Sequence, residues 1–214
     1  VEYLRSFDND FNARENVHIA SNGVDLAKYP FAMRNKSNRL VFIGNMLTLQ
    51  NLDAVHYFAK EILPLLRCVN PLIELKVVGR INNANRDKLC HYDGVIVTGE
   101  VDSISEAVAD CYVGVCPVRL GAGVQNKVLE YMALGLPTVT SSIGLEGLSA
   151  VPDQDLIVAD NNIDVVNNII NIIESRELYQ SISLCGRQYV VDNHNWNSAL
   201  SSIGSIFSNR FPVK

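Results

Sequence analysis

Two side chains in the middle of the sequence have the makings of a binding pair: Lys127 and Glu130, a helical turn apart. They lie in Gly121-Ala-Gly-Val-Gln-Asn-Lys-Val-Leu-Glu-Tyr-Met-Ala-Leu-Gly-Leu-Pro-Thr-Val-Thr140, which reads as a glycine loop, a short helix, and a buried strand introduced by Gly135 and Pro137. Gly121 and Gly123 let main chain approach a ligand closely. The helix start behind them directs unpaired N–H groups and a partial positive charge the same way. Asn126 stands four residues before Glu130, so both can meet one ligand group. This set suits a ligand with an anionic end and hydroxyls to hold, such as a nucleoside diphosphate. The same spacing permits a plain surface ion pair between Lys127 and Glu130, worth about a few tenths of a kcal/mol. At about 100° per residue, Gln125, Val128, Leu129, Met132 and Ala133 share the face expected against a sheet. Asn126, Lys127, Glu130 and Tyr131 share the other.

Other reactive side chains read more plainly. His18, within an apolar run, and His56, on a helix, have the pattern of structural residues, and His194 beside Trp196 suits packing. Asp8-Asn-Asp10 has the spacing of a metal-binding pair but no supporting context, so no metal site is expected. Arg80 follows a strand-end glycine and reads as a solvated arginine. Glu100 could touch a ligand, and Asp102 suits a helix N-cap. Glu146 could lie near a site or cap a loop. Ser141 and Ser142 lack the basic partner or elbow pattern of a nucleophile.

The elements that must hold these groups alternate short apolar runs with helical patterns, the signature of βαβ units and a parallel sheet. Strands are expected at Val17–Ala20, Leu40–Ile43, Ile73–Val78, Val95–Val97, Tyr112–Cys116, Thr138–Thr140 and Leu156–Val158. The run 112–116 is wholly apolar, as befits a strand covered on both faces. Helices are expected from about Asn51, broken or restarted at Pro64, around 83–90, from a capping box at Ser103 to Glu106, and from about Asp164 to Phe207. Breaks in the last are expected near Gly186 and at Asn193-His-Asn195. About six parallel strands with helices on both faces make a Rossmann-like α/β domain. In such sheets, ligands bind outside the strands' carboxyl ends. Glycine clusters there: Gly44-Asn45, Gly79-Arg80, Gly99-Glu-Val-Asp102 and Arg119-Leu-Gly-Ala-Gly123.

The chain has 214 residues, 48% hydrophobic and 19% charged, with 18 basic and 23 acidic residues and a net charge of −5. No basic run exceeds two residues, which argues against nucleic acid and against a polybasic membrane anchor. Five cysteines form no CxxC pair, and an odd count makes no disulfide framework, so reduced thiols in a cytoplasmic protein are expected. No apolar run of about 18 residues exists to span a bilayer. The opening Val1-Glu-Tyr-Leu-Arg has no signal-peptide architecture, and the lack of a starting methionine suggests an excised piece.

In order along the chain, Ser21-Asn-Gly-Val-Asp25, Phe42-Ile-Gly44, Val77-Val-Gly79, Val97-Thr-Gly-Glu-Val-Asp102, the stretch Pro117–Leu148 and Gly144-Leu-Glu-Gly-Leu148 resemble one known pattern. It is the C-terminal, donor-binding half of a retaining glycosyltransferase of the family 4 (group 1) type, which has the two-Rossmann GT-B architecture. The Gln125-Asn-Lys-Val-Leu-Glu130 helix is similar to the subgroup of exopolysaccharide and O-antigen sugar transferases.

The resemblance implies that Glu130, the second glutamate of the family's E-x7-E motif, accepts hydrogen bonds from ribose hydroxyls. Gly121, Gly123 and the helix start would meet the diphosphate or sugar, Val101 would contact the base, and Gly44 and Asn45 would face the phosphates. Two departures stand out. The first motif glutamate is replaced by Ala122, and the basic residues after the first-strand glycine are replaced by Asn45 and Gln50-Asn51. Arg119 and Lys127 are the nearest cations to take over the countercharge, the catalytic task where such enzymes gain most.

Implied, then, is retaining transfer from a nucleotide-diphosphate sugar, with no cofactor and no metal. The acceptor would be a glycan or lipid-linked molecule, met through a preceding domain that would also make any membrane contact. Residues 1–16 would be the tail of that domain or a linker, 17–192 the nucleotide-sugar domain and 193–214 a C-terminal helix. A nucleotide-sugar 2-epimerase and a non-catalytic binding module share the architecture and remain open. A dehydrogenase-type Rossmann domain is disfavoured, since no GxGxxG follows the first strand.

Overall fold

The computed structural model describes residues 22–121 and 123–200. The expected strand at Val17–Ala20, Asp8 and Asp10, His18, Ser21, Ala122 and everything beyond residue 200 lie outside them.

Six strands form one wholly parallel sheet: β1 (Arg39–Ile43), β2 (Glu74–Val78), β3 (Val95–Gly99), β4 (Val113–Cys116), β5 (Thr138–Thr140) and β6 (Ile157–Val158). Their spatial order is β3-β2-β1-β4-β5-β6. The winding direction therefore reverses between β1 and β4, a switch point where such sheets open a crevice. Leu40, Val41 and Phe42 of β1 and all four residues of β4 are buried, which explains their unbroken apolar sequences. Helices flank this sheet, giving the Rossmann-like architecture expected, one half of a GT-B fold.

The first long helical run is α1 (Leu49–Tyr57), a π-turn (Phe58–Ile62) and α2 (Leu63–Val69). Pro64 stands in the first turn of α2. Its ring would strike the Lys60 carbonyl in a continuous α-helix, and the wider π-turn absorbs the conflict, so proline restarts the run. Next come α3 (Asn83–Cys90), α4 (Ile104–Ala107), α5 (Asn126–Leu134) and α6 (Ser142–Leu145). The chain then adds α7 (Asn162–Glu174), α8 (Arg176–Asn193) and α9 (Trp196–Ala199).

Two expectations need correcting. Ser103, not Asp102, caps α4, its side chain accepting from the Glu106 N–H. Gly186 does not interrupt α8. A Cβ there would come within 2.7 Å of the Asp155 carbonyl, so glycine lets the helix lie directly on a loop. The break falls instead at Ser175, which ends α7 and caps α8 by accepting from Leu178 N–H. The expected break at residues 193–195 is present, with Asn195 capping α9.

His194 is buried, its Nδ1–H donating to the Asn22 carbonyl while Nε2 accepts from the Tyr189 hydroxyl, a packing role. Cys111 and Cys116 are buried among hydrophobes, and burial pushes the Cys111 thiol up to about 12. Among the described residues, no helix is long and apolar enough to cross a membrane, and no cluster of His, Cys, Asp or Glu could hold a metal ion.

The carboxyl ends of β1 and β2 meet at Gly79. Its φ is +129°, and a Cβ there would sit 1.9 Å from the Gly44 carbonyl oxygen. Gly79→Ala is therefore expected to cost about 3 kcal/mol or more, read by chemical denaturation. Gly99 has φ +81° with open space around it, so Gly99→Ala should cost only about 1 kcal/mol. Equal stabilities would refute the close approach of the two strand ends.

A candidate ligand cleft at the switch point

A cavity of about 360 Å³ opens at the carboxyl edge of the sheet. One wall is formed at the strand ends: Ile43 of β1 with Gly44 and Asn45 beyond it, Val78 of β2 with Gly79 and Arg80 beyond it, and Glu100 and Val101 after β3. Ile104 of α4 closes the outer side. The opposite wall comes from across the switch point, where α5 contributes Asn126, Lys127 and Glu130, with Asn51 of α1 between. Six of the nine residues expected to form a site thus come together: Gly44, Asn45, Val101, Asn126, Lys127 and Glu130.

Tyr131 fixes the register of α5. It is fully buried, accepts from the Ile43 N–H at 2.7 Å and donates to the Val115 carbonyl at 3.3 Å. Gly114 makes room for it, since a Cβ there would lie 2.5 Å from the ring. Burial holds the phenol well above its ordinary pKa, so it stays a donor. Gly135 ends the helix in the left-handed conformation, φ +74°.

The expected division of α5 into two faces fails at three positions. Lys127, 8% exposed, and Tyr131 are buried, while Gln125 is the partly buried N-cap residue. Lys127 and Tyr131 lie against β1, β4 and Asn51 while α8 covers another side of the helix, so a two-sided wheel misplaces its residues. Nor do Lys127 and Glu130 form the surface ion pair that their spacing allows. Lys127 Nζ donates to Asn51 Oδ1 at 2.9 Å and Gln125 Oε1 at 3.1 Å, and lies 5.3 Å from the Phe42 ring centre. No ion pair among the described residues includes it. Asn51 also donates to the Asn45 carbonyl at 3.0 Å, tying the loop after β1 to the lysine.

Glu130 accepts from the Tyr29 hydroxyl at 3.0 Å. Burial raises its carboxyl pKa, opposed by the Tyr29 hydrogen bond and by Lys127 and Lys28. Asn126 is exposed and accepts from Asn22 Nδ2 at 2.7 Å. At the outer lip, Arg80 Nε and Glu100 Oε1 pair at 2.7 Å, each 63% exposed, so Arg80 is a partnered cavity residue and not merely solvated.

The other three expected residues lie elsewhere. Arg119 pairs with Asp53 at 2.7 Å, its guanidinium 4.2 Å from the Tyr57 ring centre. It lines a separate cavity of about 200 Å³ with Tyr57, Ser141 and Asp160. Gly121 and Gly123 are exposed, and Gly121 faces Gln50 at the start of α1. Tyr29 escaped the sequence reading because it lies about a hundred positions from Glu130, in a segment with no periodicity. Asn51 was seen only as the replacement for a cation.

Comparison with known proteins identifies the family and the fold. Residues 37–175 match the family model described as "Glycosyl transferases group 1". The chain is 26% identical over 172 residues to an "Uncharacterized 44.6 kDa protein in cps region" of Klebsiella pneumoniae, covering 77% of this chain and 44% of that protein. Among solved structures, it superposes on a glycosyltransferase from Rickettsia africae with a TM-score of 0.75 at 11% identity, over 100% of this chain and 62% of that one. A mutant of S. aureus TarM in complex with fondaparinux, alpha-GlcNAc-glycerol and UDP gives 0.73 at 16% identity, over 97% of this chain and 42% of that one. At such identities, the likeness to the two structures is one of fold. The chain spans less than half of the curated relative and under two thirds of either solved chain. The family match itself runs from just before β1 to the Ser175 joint, well over half of the 214 residues, and the chain belongs to the group 1 glycosyl transferases.

Proposed function

We propose that this chain supplies the donor-binding half of a retaining glycosyltransferase and grips the nucleoside diphosphate of a nucleotide sugar in the switch-point cleft. The observation that carries the reading is Lys127: a buried cation facing a cavity with only amide oxygens for partners. A buried charge in no direct ion pair is costly, and an anion entering the cavity relieves it. The diphosphate lies between Lys127 and the Gly44–Asn45 loop, with the start of α5 behind it. Glu130, with Asn126 beside it, accepts the ribose hydroxyls, and the base rests against Val101 on the β3 side. Gly121 and Gly123 meet the sugar end.

TarM, with its bound UDP, supports a uridine nucleotide as the first to try. The relative described as lying in a cps region supports a place in cell-surface polysaccharide synthesis, as does the subgroup-like helix sequence. Transfer to a glycan or lipid-linked acceptor requires a partner lobe beyond these residues. The work would be done in the cytoplasm, with no metal. Lys127 stabilises the charge gathering on the leaving diphosphate. Arg119, neutralised by Asp53 outside the cavity, adds little to nucleotide affinity.

Calorimetric titration with UDP checks this division. Lys127→Ala should weaken binding by about ten- to a hundredfold, the worth of a charge-assisted hydrogen bond. Arg119→Ala should change it by less than about threefold, as for an exposed pair. Undiminished affinity in Lys127→Ala would remove the basis of the reading. The chain by itself should bind a UDP-sugar without transferring it. Conversion of the donor in the absence of acceptor would instead indicate epimerase-like chemistry.

A further inference from the structure

We infer that Tyr29 is a positioning residue for Glu130, holding one carboxylate oxygen so that the other is presented to the ligand's hydroxyls. The inference rests on the donor-site reading above and adds a residue from outside the cavity lining. The contact is a 3.0 Å hydrogen bond from the Tyr29 hydroxyl to Glu130 Oε1. Tyr29 is only 7% exposed, and its main chain is held on two sides. Its N–H donates to the Asp25 carbonyl, and its own carbonyl accepts from Arg187 Nη1 at 3.2 Å. The same arginine donates to the Ala133 carbonyl at 2.7 Å, so Tyr29 and α5 are bolted to a common guanidinium. The main chain on both sides of the hydrogen bond is thereby held.

The bond also governs the protonation of the glutamate. Burial favours the neutral acid, whereas the Tyr29 hydroxyl, Lys127 on the same helix and Lys28 beside Tyr29 favour the carboxylate. Asp25 lies on the Tyr29 side, and across the cavity the Arg80–Glu100 pair neutralises itself. Burial and the neighbouring Glu130 push the Tyr29 phenol far above its ordinary pKa, so it remains a donor throughout the accessible range. The carboxylate accepts on both oxygens, one for Tyr29 and one for a ligand hydroxyl, whereas protonation turns one of them into a donor and weakens the other as an acceptor. Loss of the tyrosine hydroxyl removes a group that holds the glutamate ionised, so its folded pKa rises further. The acceptor is then lost at a higher pH as the solution is acidified.

Tyr29→Phe keeps the ring and deletes only the donor. In UDP titrations of the 214-residue chain, the variant should bind about threefold more weakly where Glu130 is ionised, and the deficit should grow as the pH is lowered, its loss of affinity setting in at a higher pH than in the unsubstituted chain. A packing defect alone would not steepen the pH profile in this way. The same substitution in a Glu130→Gln background, where nothing at that position titrates, should leave the pH profile of its parent unchanged. A Tyr29→Phe protein with the affinity and pH profile of the unsubstituted chain would overturn the inference and leave the donor site standing. Failure of the unsubstituted chain to bind UDP would overturn both.

Discussion

The buried phenol of Tyr131 is the constraint on which the cleft depends. β1 and β4 pair over two residues only, Leu40 with Val113 and Val41 with Gly114. Beyond that point they part, which is what opens a crevice at the switch point. The Ile43 amide then gives its hydrogen to the Tyr131 oxygen, and the Val115 carbonyl takes the phenolic proton. One side chain thus joins the two diverging strands to the helix between them. It satisfies main-chain groups that the opening sheet would leave unpaired in the buried core. Lys127 and Glu130 stand one turn and one residue before it, so their positions over the gap follow from its anchorage.

Two cations near the glycine loop have been given opposite circumstances. Arg119 lies outside the cleft with a carboxylate and an aromatic face for company, and its charge is spent locally. Lys127 lies inside, hydrogen-bonded to amide oxygens and in no direct ion pair, and its field reaches into the cavity. Low-dielectric surroundings strengthen that field relative to an exposed lysine. Asn51 fills the place where the family resemblance led us to expect a basic residue, and it is the lysine's partner. A neutral amide there orients the ammonium without cancelling it.

Much of this organisation is readable in the sequence, and the failures share a cause. Apolar runs such as residues 112–116 announce buried strands because the chemistry needed is local. Glycines at strand ends announce the open edge for the same reason. What escapes is whatever depends on distant pairing. Tyr29 and Glu130 are 101 positions apart, and Lys127 and Asn51 are 76 apart. The wheel placed Lys127 and Tyr131 on a wet face because it assumes one covered side, and the start of α5 is covered on more than one. Gly186 reads as a breaker by propensity, but contact with the Asp155 carbonyl overrides propensity in α8. Ser175 carries the true break because its hydroxyl offers the next helix a cap.

The exit of α5 is held as firmly as its middle. Arg34 donates to the Leu134 carbonyl, Ser183 to that of Gly135 and Arg187 to that of Ala133. A helix clamped by three separate donors cannot slide along its own axis when a ligand arrives. Adjustment to a ligand would therefore fall to the facing wall, where the Arg80 and Glu100 side chains stand exposed. Differences in donor preference among relatives would be expected to accumulate on that facing wall.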